Sequence, residues 1–244
     1  MRRPVNAKPA EIAEPRRARR RRRTGVSRWL FGWVWYLSLR LALLGVALVL
    51  LFAIFNPPTT FTIIQNAREY PIADRKWTRI DDIAPVVARS VVAAEDANFC
   101  QHWGFDMAEI RRVIAAGRQG GASTISQQVV KNVYLWQGRS WIRKALEATM
   151  TPMVEAVWTK KRILEVYLNL AEFGPGIFGI HAAAAYHFGT TPDRLTPVQA
   201  ARLAAVLPAP KLRGTGQPTR RSRAIADGAA TIARDGRDSC FRQD

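Results

Sequence analysis

The feature that most constrains this chain is an apolar run that covers residues 29–55. It is longer than the roughly 20 residues that a helix needs to cross the hydrocarbon core of a bilayer. Arg40 is the one ionisable residue in the run. We therefore expect residues 41–55 to form most of the buried span, with Arg40 reaching back towards the headgroups. Since no small-x-small cleavage signal follows at Asn56-Pro57-Pro58, a membrane anchor is favoured over a cleaved signal peptide.

Residues 1–28 form a strongly basic segment in front of this run, and a large share of the formal net charge of +18 lies there. Positive residues stay on the cytoplasmic side, so we expect a cytoplasmic N-terminal tail and an extracytoplasmic, or periplasmic, location for residues 56–244. The arginine cluster at 16–23 could bind nucleic acid, but contact with anionic lipid headgroups is favoured because the span is adjacent. We therefore expect a cell inner (plasma) membrane protein with a single span and no nucleic-acid partner.

The remainder of the chain reads as mainly α-helical, with a linker at 56–74, a domain at 75–210 and a basic C-terminal tail at 211–244. The Thr- and Ile-rich residues 59–65 favour a short strand. Pro152 is expected to kink the helix that contains it. Apolar spacing near 3.6 predicts helices over residues 83–94, 106–116, 123–134, 140–158, 161–171, 180–187 and 197–207.

A first constellation that could carry chemistry begins at Glu95-Asp96, where an apolar helix runs into two carboxylates. A carboxylate at the end of such a helix is partly desolvated, which raises its pKa towards values useful for a general base. The alternative is a solvated helix end followed by a core aromatic residue, Phe99.

A second constellation lies at the start of the helix that follows Gly120-Gly121. Ser123 and Thr124 supply hydroxyl groups beside the free N–H groups of the first helical turn, an arrangement that binds anions. Gln128 and Lys131 lie three residues apart and therefore share one helical face. The alternative is an ordinary capped helix.

A third constellation pairs Arg143 with Glu147, four residues apart on one helical face. This spacing predicts either a helix ion pair or a second carboxylate held beside cations. The three histidines lack carboxylate or cysteine neighbours at ligand spacing, so no metal site is predicted. Cys100 and Cys240 could pair outside the cytoplasm, but their wide separation along the chain favours unpaired thiols.

Taken together, these segments resemble the peptidoglycan glycosyltransferases of family 51. Five motifs occur in the family order across residues 75–210, and five in order are far more specific than one. They are Glu95-Asp96-x-x-Phe99-x-x-His102-x-Gly104, Gly121-x-Ser123-Thr124-Ile125-x-Gln127-Gln128-x-x-Lys131-Asn132, Arg143-Lys144-x-x-Glu147, Ile163-Leu164-Glu165-x-Tyr167-Leu168-Asn169 and Gly179-Ile180-x-Ala182-Ala183-Ala184.

The resemblance implies a lysozyme-like, mainly α glycosyltransferase domain behind a single transmembrane helix, in the monofunctional form without a penicillin-binding domain. The implied activity is polymerisation of lipid II into glycan strands, with inversion at the anomeric carbon and release of undecaprenyl pyrophosphate. Glu95 would be the general base, and Glu147 is a less firmly assigned catalytic residue. The implied substrate-binding residues are Asp96, Phe99, His102, Gly104, Arg112, Ser123, Thr124, Gln128, Lys131, Asn132, Arg143 and Lys144.

In this family a divalent cation, Mg²⁺ or Mn²⁺, can assist at the pyrophosphate, whereas the sequence supplies no ligand set that requires one. Expected partners are lipid II, the growing glycan strand, the membrane, and proteins of cell-wall synthesis or division. The sequence departs from the family pattern at Cys100-Gln101, Pro152 and His181. A lytic transglycosylase or muramidase would also be α-rich with a catalytic glutamate, and a catalytically inactive membrane-anchored scaffold is a further alternative.

Overall fold

The computed structural model describes residues 24–117, 121–138 and 140–242. The arginine cluster at 16–23 and Gly120 lie outside the described residues. The chain divides into two compact units, of which the first ends at Gly45 and the second begins at Val46.

Helix α1 covers Thr24–Ile54, and within it Arg28–Ile54 is long and apolar enough to cross a membrane. Its large apolar side chains are mostly exposed, as those of Phe31 and Leu41 are. The Arg40 guanidinium lies 4.7 Å from the centre of the Tyr36 ring. These features fit the predicted span by length and composition.

Helices make up nearly all of the regular secondary structure in the described part of the second unit, which confirms the predicted fold class. All seven helices predicted from apolar spacing are present, and Pro152 lies inside one of them. The elements are α2 (Phe61–Asn66), α3 (Pro85–Glu95), α4 (Met107–Ala115), α5 (Ile125–Tyr134), α6 (Trp141–Val157), α7 (Lys160–Leu170), β1 (Glu172–Gly174), β2 (Ile177–Phe178), α8 (Ile180–Phe188), α9 (Pro197–Val206) and α10 (Arg220–Arg234).

The prediction of a strand at residues 59–65 is wrong, because this segment forms helix α2. Thr60 caps the helix by accepting a hydrogen bond from the backbone N–H of Ile63 at 3.3 Å. Asn66 donates from Nδ2 to the carbonyl oxygen of Thr62 at 3.1 Å. A side-chain cap and burial of one helical face outweigh the weak strand preference of threonine and isoleucine.

The core is centred on α7, whose Ile163, Leu164 and Leu168 are fully buried. Helix α5 packs against α6 and α7, while α3, α9 and α10 pack against one another. Each fully buried aliphatic side chain contributes about 1.5–3 kcal/mol. This packing brings the end of α3 close to the start of α5, and the candidate site is built around that junction.

The last turns of α1, from Val46 onward, belong to the second unit. Trp158 donates from Nε1 to the carbonyl oxygen of Val49 at 2.8 Å. The Arg162 guanidinium donates to the carbonyl oxygens of Phe52 and Phe55 at 3.1 and 2.8 Å. The beginning of α7 is therefore hydrogen-bonded to the end of the apolar helix.

The segment 211–244, taken as a basic tail from its composition, contains α10. Thr219 caps this helix, and Ile225, Ala229 and Ile232 are buried. A Cβ added at Gly228 would lie 3.2 Å from the Cβ of Ala93, which shows how closely α10 approaches α3. This part of the segment is therefore packed against the domain, while the boundaries at 75 and 210 stay a prediction.

The expectation that the two cysteines stay unpaired is wrong, because Cys100 and Cys240 form a disulfide with a Cα–Cα distance of 5.6 Å. Packing of α10 on α3 returns the chain to the segment that follows α3, so separation along the sequence says nothing about separation in space. Phe241 packs against Phe99 beside the disulfide, with ring centres 6.2 Å apart.

Candidate active site

Glu95 is the last residue of α3, where the helix ends and its carboxylate reaches the surface of a cavity. Burial raises the pKa of Glu95 above its ordinary value. A hydrogen bond of 2.9 Å from Nε2 of Gln128 to Oε2 opposes that shift, and so do the positive charges of Arg221 and Lys131. The result is a half-buried carboxylate suited to accept a proton.

Asp96 follows Glu95 directly but faces the interior, with a side chain that is 1% exposed. Its Oδ1 contacts Nε2 of His102 at 2.8 Å, and its Oδ2 accepts the backbone N–H of Ile125 at 3.0 Å. Asp96 therefore joins the end of α3 to the first turn of α5. Phe99 is fully buried between the His102 and Phe241 rings.

Gly104 lies against the same junction and has a φ of +84°, a backbone conformation that favours glycine. Thr124 donates from Oγ1 to the Gly104 carbonyl oxygen at 2.6 Å and also caps α5 in a capping box with Gln127. An added Cβ at Gly104 would lie 2.6 Å from Cγ2 of Thr151. The loop between α3 and α4 thus packs closely against α5 and α6.

Glu147 on α6 is the second carboxylate, and its side chain is 3% exposed. Arg143 donates from an Nη atom to one carboxylate oxygen at 2.6 Å, and the Lys144 ammonium contacts the other. The Lys144 ammonium also lies 3.4 Å from Oγ of Ser123, at the start of α5. Glu147 is therefore a buried anion compensated by two cations, as the third motif predicts.

Lys131 lies on α5 one turn beyond Gln128, on the face that the sequence spacing predicts. Burial lowers its pKa, with the nearby Arg143 and Lys144 adding to that effect and Glu147 opposing it. Within the described residues no carboxylate lies within 4.0 Å of its ammonium. A desolvated cation with free donors suits an anionic ligand.

Two cavities contain most of the predicted site residues. The larger, of about 380 Å³, is lined by Gln128, Lys131 and Asn132 together with polar residues of α2. The smaller, of about 200 Å³, is lined by Glu95 and Arg112 with Ser123 and Thr124. The hydrogen bond from Gln128 to Glu95 connects the linings of the two cavities.

Arg112 differs from the other predicted cations because it is exposed. It makes a bidentate ion pair with Glu109, at 2.8 and 2.9 Å, on the outer face of α4. It lines the smaller cavity, whereas Lys131 lines the larger one. The structure therefore does not bring the predicted cations into one cluster.

Sequence reasoning missed several residues of the larger cavity. Tyr167 lies in the fourth motif, which reads as core packing, yet its hydroxyl donates to Oε1 of Gln128 at 3.3 Å. Burial raises the pKa of Glu172, whose Oε1 has no hydrogen-bond partner among the described residues. The cavity residues of α2 were missed because residues 59–65 were predicted to form a strand. The additional lining residues are Thr62, Gln65, Asn66, Glu69, Gln137, Tyr167, Glu172 and Lys211.

The geometry of the site also bears on whether it could hold a divalent cation. The described residues contain no group of three or more His, Cys, Asp and Glu side chains placed to hold a metal ion. Asp96 uses both carboxylate oxygens within the protein, and Glu147 is held by two cations. These side chains do not fit a resident metal ion, so no step below depends on one.

Comparison with known proteins identifies the class of enzyme to which this helical fold and acidic site belong. A family model described as transglycosylase matches residues 57–234, and the chain belongs to this family of glycosyltransferases. The match includes all of α10, which lies in the segment predicted to be a tail.

The relatives are proteins named biosynthetic peptidoglycan transglycosylase. One from Jannaschia sp. (strain CCS1) is 56% identical over 197 residues, 79% of this chain and 82% of that protein. One from Caulobacter vibrioides is 42% identical over 203 residues, 80% and 89% of the two chains. One from Pseudomonas entomophila is 46% identical over 185 residues, 72% and 78% of the two chains. The predicted family, fold and peptidoglycan glycosyltransferase activity are confirmed.

Proposed function

We propose that this enzyme polymerises lipid II with Glu95 as the general base. Glu95 takes the proton from the 4-hydroxyl of the acceptor N-acetylglucosamine as that oxygen attacks the anomeric carbon of the donor N-acetylmuramic acid. The bond from that carbon to the lipid pyrophosphate breaks, and attack from the opposite face inverts the configuration. The observation that carries this proposal is the half-buried carboxylate at the end of α3, whose pKa burial raises.

The departing pyrophosphate needs positive charge as its bond breaks. Lys131 is the best-placed cation for this role, since its ammonium lines the larger cavity and has no carboxylate partner within the described residues. Arg143 and Lys144 are already paired with Glu147. We assign Glu147 to holding these two cations near Lys131, which makes it a positioning residue for the pyrophosphate side.

The remaining predicted residues fall into two groups. Asn132 and Gln128 present amides to the larger cavity, and Ser123 and Arg112 face the smaller one, so these four are assigned to sugar or phosphate binding. The others use their polar groups inside the protein or are buried, which supports a role in shaping the loop behind Glu95. These are Asp96, Phe99, His102, Gly104 and Thr124.

The membrane anchor fits the substrate, because the polyprenyl tail of lipid II stays in the bilayer. An enzyme tethered to the same membrane meets that substrate at high effective concentration. We assign the N-terminus to the cytoplasm and the domain to the extracytoplasmic side. The disulfide supports this orientation, since disulfides persist in oxidising compartments. Partners in cell-wall synthesis or division would meet the domain on that side.

The test is polymerisation of labelled lipid II by the full-length protein in detergent. The wild type should form long glycan, and Glu95→Gln should lose at least about 100-fold in rate because a general base contributes 10²–10⁴-fold. Asp227→Asn, at an exposed acid of α10, is the matched control and should retain full activity.

Polymerisation by folded Glu95→Gln within tenfold of the wild type would refute the assignment of the base. Absence of polymer from the wild type, with and without Mg²⁺ or Mn²⁺, would favour the inactive scaffold. Release of soluble sugar from preformed wall would instead favour a lytic transglycosylase or muramidase.

A further inference from the structure

Three helices converge on the side chain of Gln128. Glu95 is contributed by α3, Gln128 by α5 and Tyr167 by α7, and two hydrogen bonds connect them. The Tyr167 hydroxyl donates to Oε1 of Gln128 at 3.3 Å, and Nε2 of Gln128 donates to Oε2 of Glu95 at 2.9 Å. Tyr167 is 3% exposed and surrounded by core residues of α7.

An amide side chain can present either its NH₂ group or its carbonyl oxygen to a neighbour. These two groups have opposite effects on a neighbouring carboxylate, because a hydrogen-bond donor stabilises its ionised form and an acceptor stabilises its protonated form. An ionised Glu95 can only accept a hydrogen bond, so it favours the orientation in which Gln128 directs its NH₂ group to the carboxylate. In that orientation the Tyr167 hydroxyl donates to the carbonyl oxygen of the amide, which stabilises it further.

We propose that Tyr167 is a positioning residue for the catalytic base, acting through the amide of Gln128. This inference rests on the proposed role of Glu95. Tyr167 does not exchange a proton in the reaction. Its hydroxyl, in the lining of the larger cavity, holds the orientation in which Gln128 keeps Glu95 ionised.

Charged groups from several elements face Glu95 and also influence its pKa. Arg221 of α10 and Lys131 of α5 favour the ionised carboxylate, while the adjacent Asp96 opposes it. Burial, together with the negative charges of Glu95 and Asp96, raises the pKa of Tyr167 well above its ordinary value, so the phenol stays protonated across the working pH range. Its donor role is therefore constant with pH, and the titrating group is Glu95.

The direct test is a titration of Glu95 in the full-length protein in detergent micelles. ¹³C-carboxyl NMR of the resting enzyme, with the signal assigned by its loss in Glu95→Gln, reports the pKa without turnover. Tyr167→Phe should raise the Glu95 pKa by about half a unit or more, the shift expected when one hydrogen bond between neutral groups no longer holds the amide in place. Tyr134→Phe is the matched control, since the Tyr134 hydroxyl is buried and has no hydrogen-bond partner among the described residues.

A double-mutant cycle distinguishes positioning through Gln128 from a general packing effect. Gln128→Met removes the amide at similar volume and should raise the Glu95 pKa at least as much as Tyr167→Phe. The double variant should show no further increase, because the hydroxyl acts only through the amide. An unchanged pKa in folded Tyr167→Phe, or additive shifts in the double variant, would overturn the proposal.

The same variants have a kinetic signature if the enzyme polymerises lipid II. The acid limb of the kcat profile should move to higher pH in Tyr167→Phe, since a larger fraction of Glu95 is protonated at each pH, while KM changes less than about twofold. A fall in kcat that is uniform with pH would contradict the positioning role. A wild type without polymerase activity would refute the proposed function and leave the NMR titration to decide this inference.

Discussion

Replacing Gly104 by alanine should destabilise the domain by a predictable amount. The residue has a φ of +84°, and an added Cβ would lie 2.6 Å from Cγ2 of Thr151 and 3.2 Å from Cγ of Glu155. The backbone conformation costs an L-residue about 1–2 kcal/mol, and overpacking of this kind costs about 1–3 kcal/mol. Alanine also lowers the conformational entropy of the unfolded chain, which raises the free energy of unfolding by about 0.4–1 kcal/mol. We expect a net loss of about 2–4 kcal/mol.

Gly117→Ala is the matched control for backbone strain. Gly117 has a φ of +61°, and nothing lies within 4 Å of its added Cβ, so Gly117→Ala should cost about 1.5 kcal/mol at most. Thr151→Ser deletes the clashing methyl group and keeps the hydroxyl that donates to the Glu147 carbonyl oxygen at 2.7 Å. In the Gly104→Ala background it should restore roughly 1–3 kcal/mol, the steric part of the loss.

The assay is equilibrium unfolding of the full chain in detergent with guanidinium chloride, followed by tryptophan fluorescence. The four-variant cycle gives the interaction energy between positions 104 and 151 directly. The reasoning is refuted if Gly104→Ala loses no more than Gly117→Ala, or if Thr151→Ser costs the same in both backgrounds.

Three further predictions concern the same loop. Replacing Cys100 and Cys240 by serine should lower the free energy of unfolding by about 3–5 kcal/mol, because the bond closes a loop of 140 residues, and reductant should lower only the wild type. Asp96→Asn should lose about 2 kcal/mol in the same unfolding assay, since a buried carboxylate that accepts two hydrogen bonds becomes neutral. Glu95→Gln should be more stable than the wild type at about pH 8 but not below about pH 4, because a pKa raised by folding contributes stability only while the group is protonated.

Each of these has a result that would contradict it. The serine variant would unfold like the oxidised wild type if the disulfide did not restrict the unfolded chain. Equal stability of Asp96→Asn and wild type would show that its two contacts contribute nothing. A stability gain of Glu95→Gln that persisted at low pH would point to a cause other than burial of the charged carboxylate.

Sequence reasoning succeeds for the helices that line the site because their apolar spacing and their packing agree. The residues from Ile125 to Tyr134 follow a helical period, and Thr124 with Gln127 forms the capping box at which the helix begins, as predicted. The third motif also gave the buried pair of Arg143 with Glu147 correctly, since residues four apart on a helix are neighbours whatever the rest of the fold does.

The errors at Cys240 and Tyr167 share one physical cause, which is contact between segments distant in sequence. Nothing local to Cys240 reveals that α10 packs on α3 and returns the chain to Cys100. In the same way, local composition cannot show that Tyr167, a core residue of α7, also reaches the amide beside Glu95. The prediction of a strand at residues 59–65 was wrong for a local reason, because the Thr60 cap outweighs the weak strand propensity of threonine and isoleucine.

The disulfide imposes an order on the synthesis and maturation of the enzyme. Cys100 lies in the loop that directly follows Glu95, and its partner comes 140 residues later in the chain. On the proposed topology, Cys100 enters the oxidising compartment while most of the domain is still being synthesised and exported. The disulfide that fixes the loop after Glu95 can therefore form only after α10 and Cys240 have been synthesised and exported. Until then the Cys100 thiol is unpaired, so on this topology formation of the disulfide requires an oxidising compartment as well as the packing of α10 on α3.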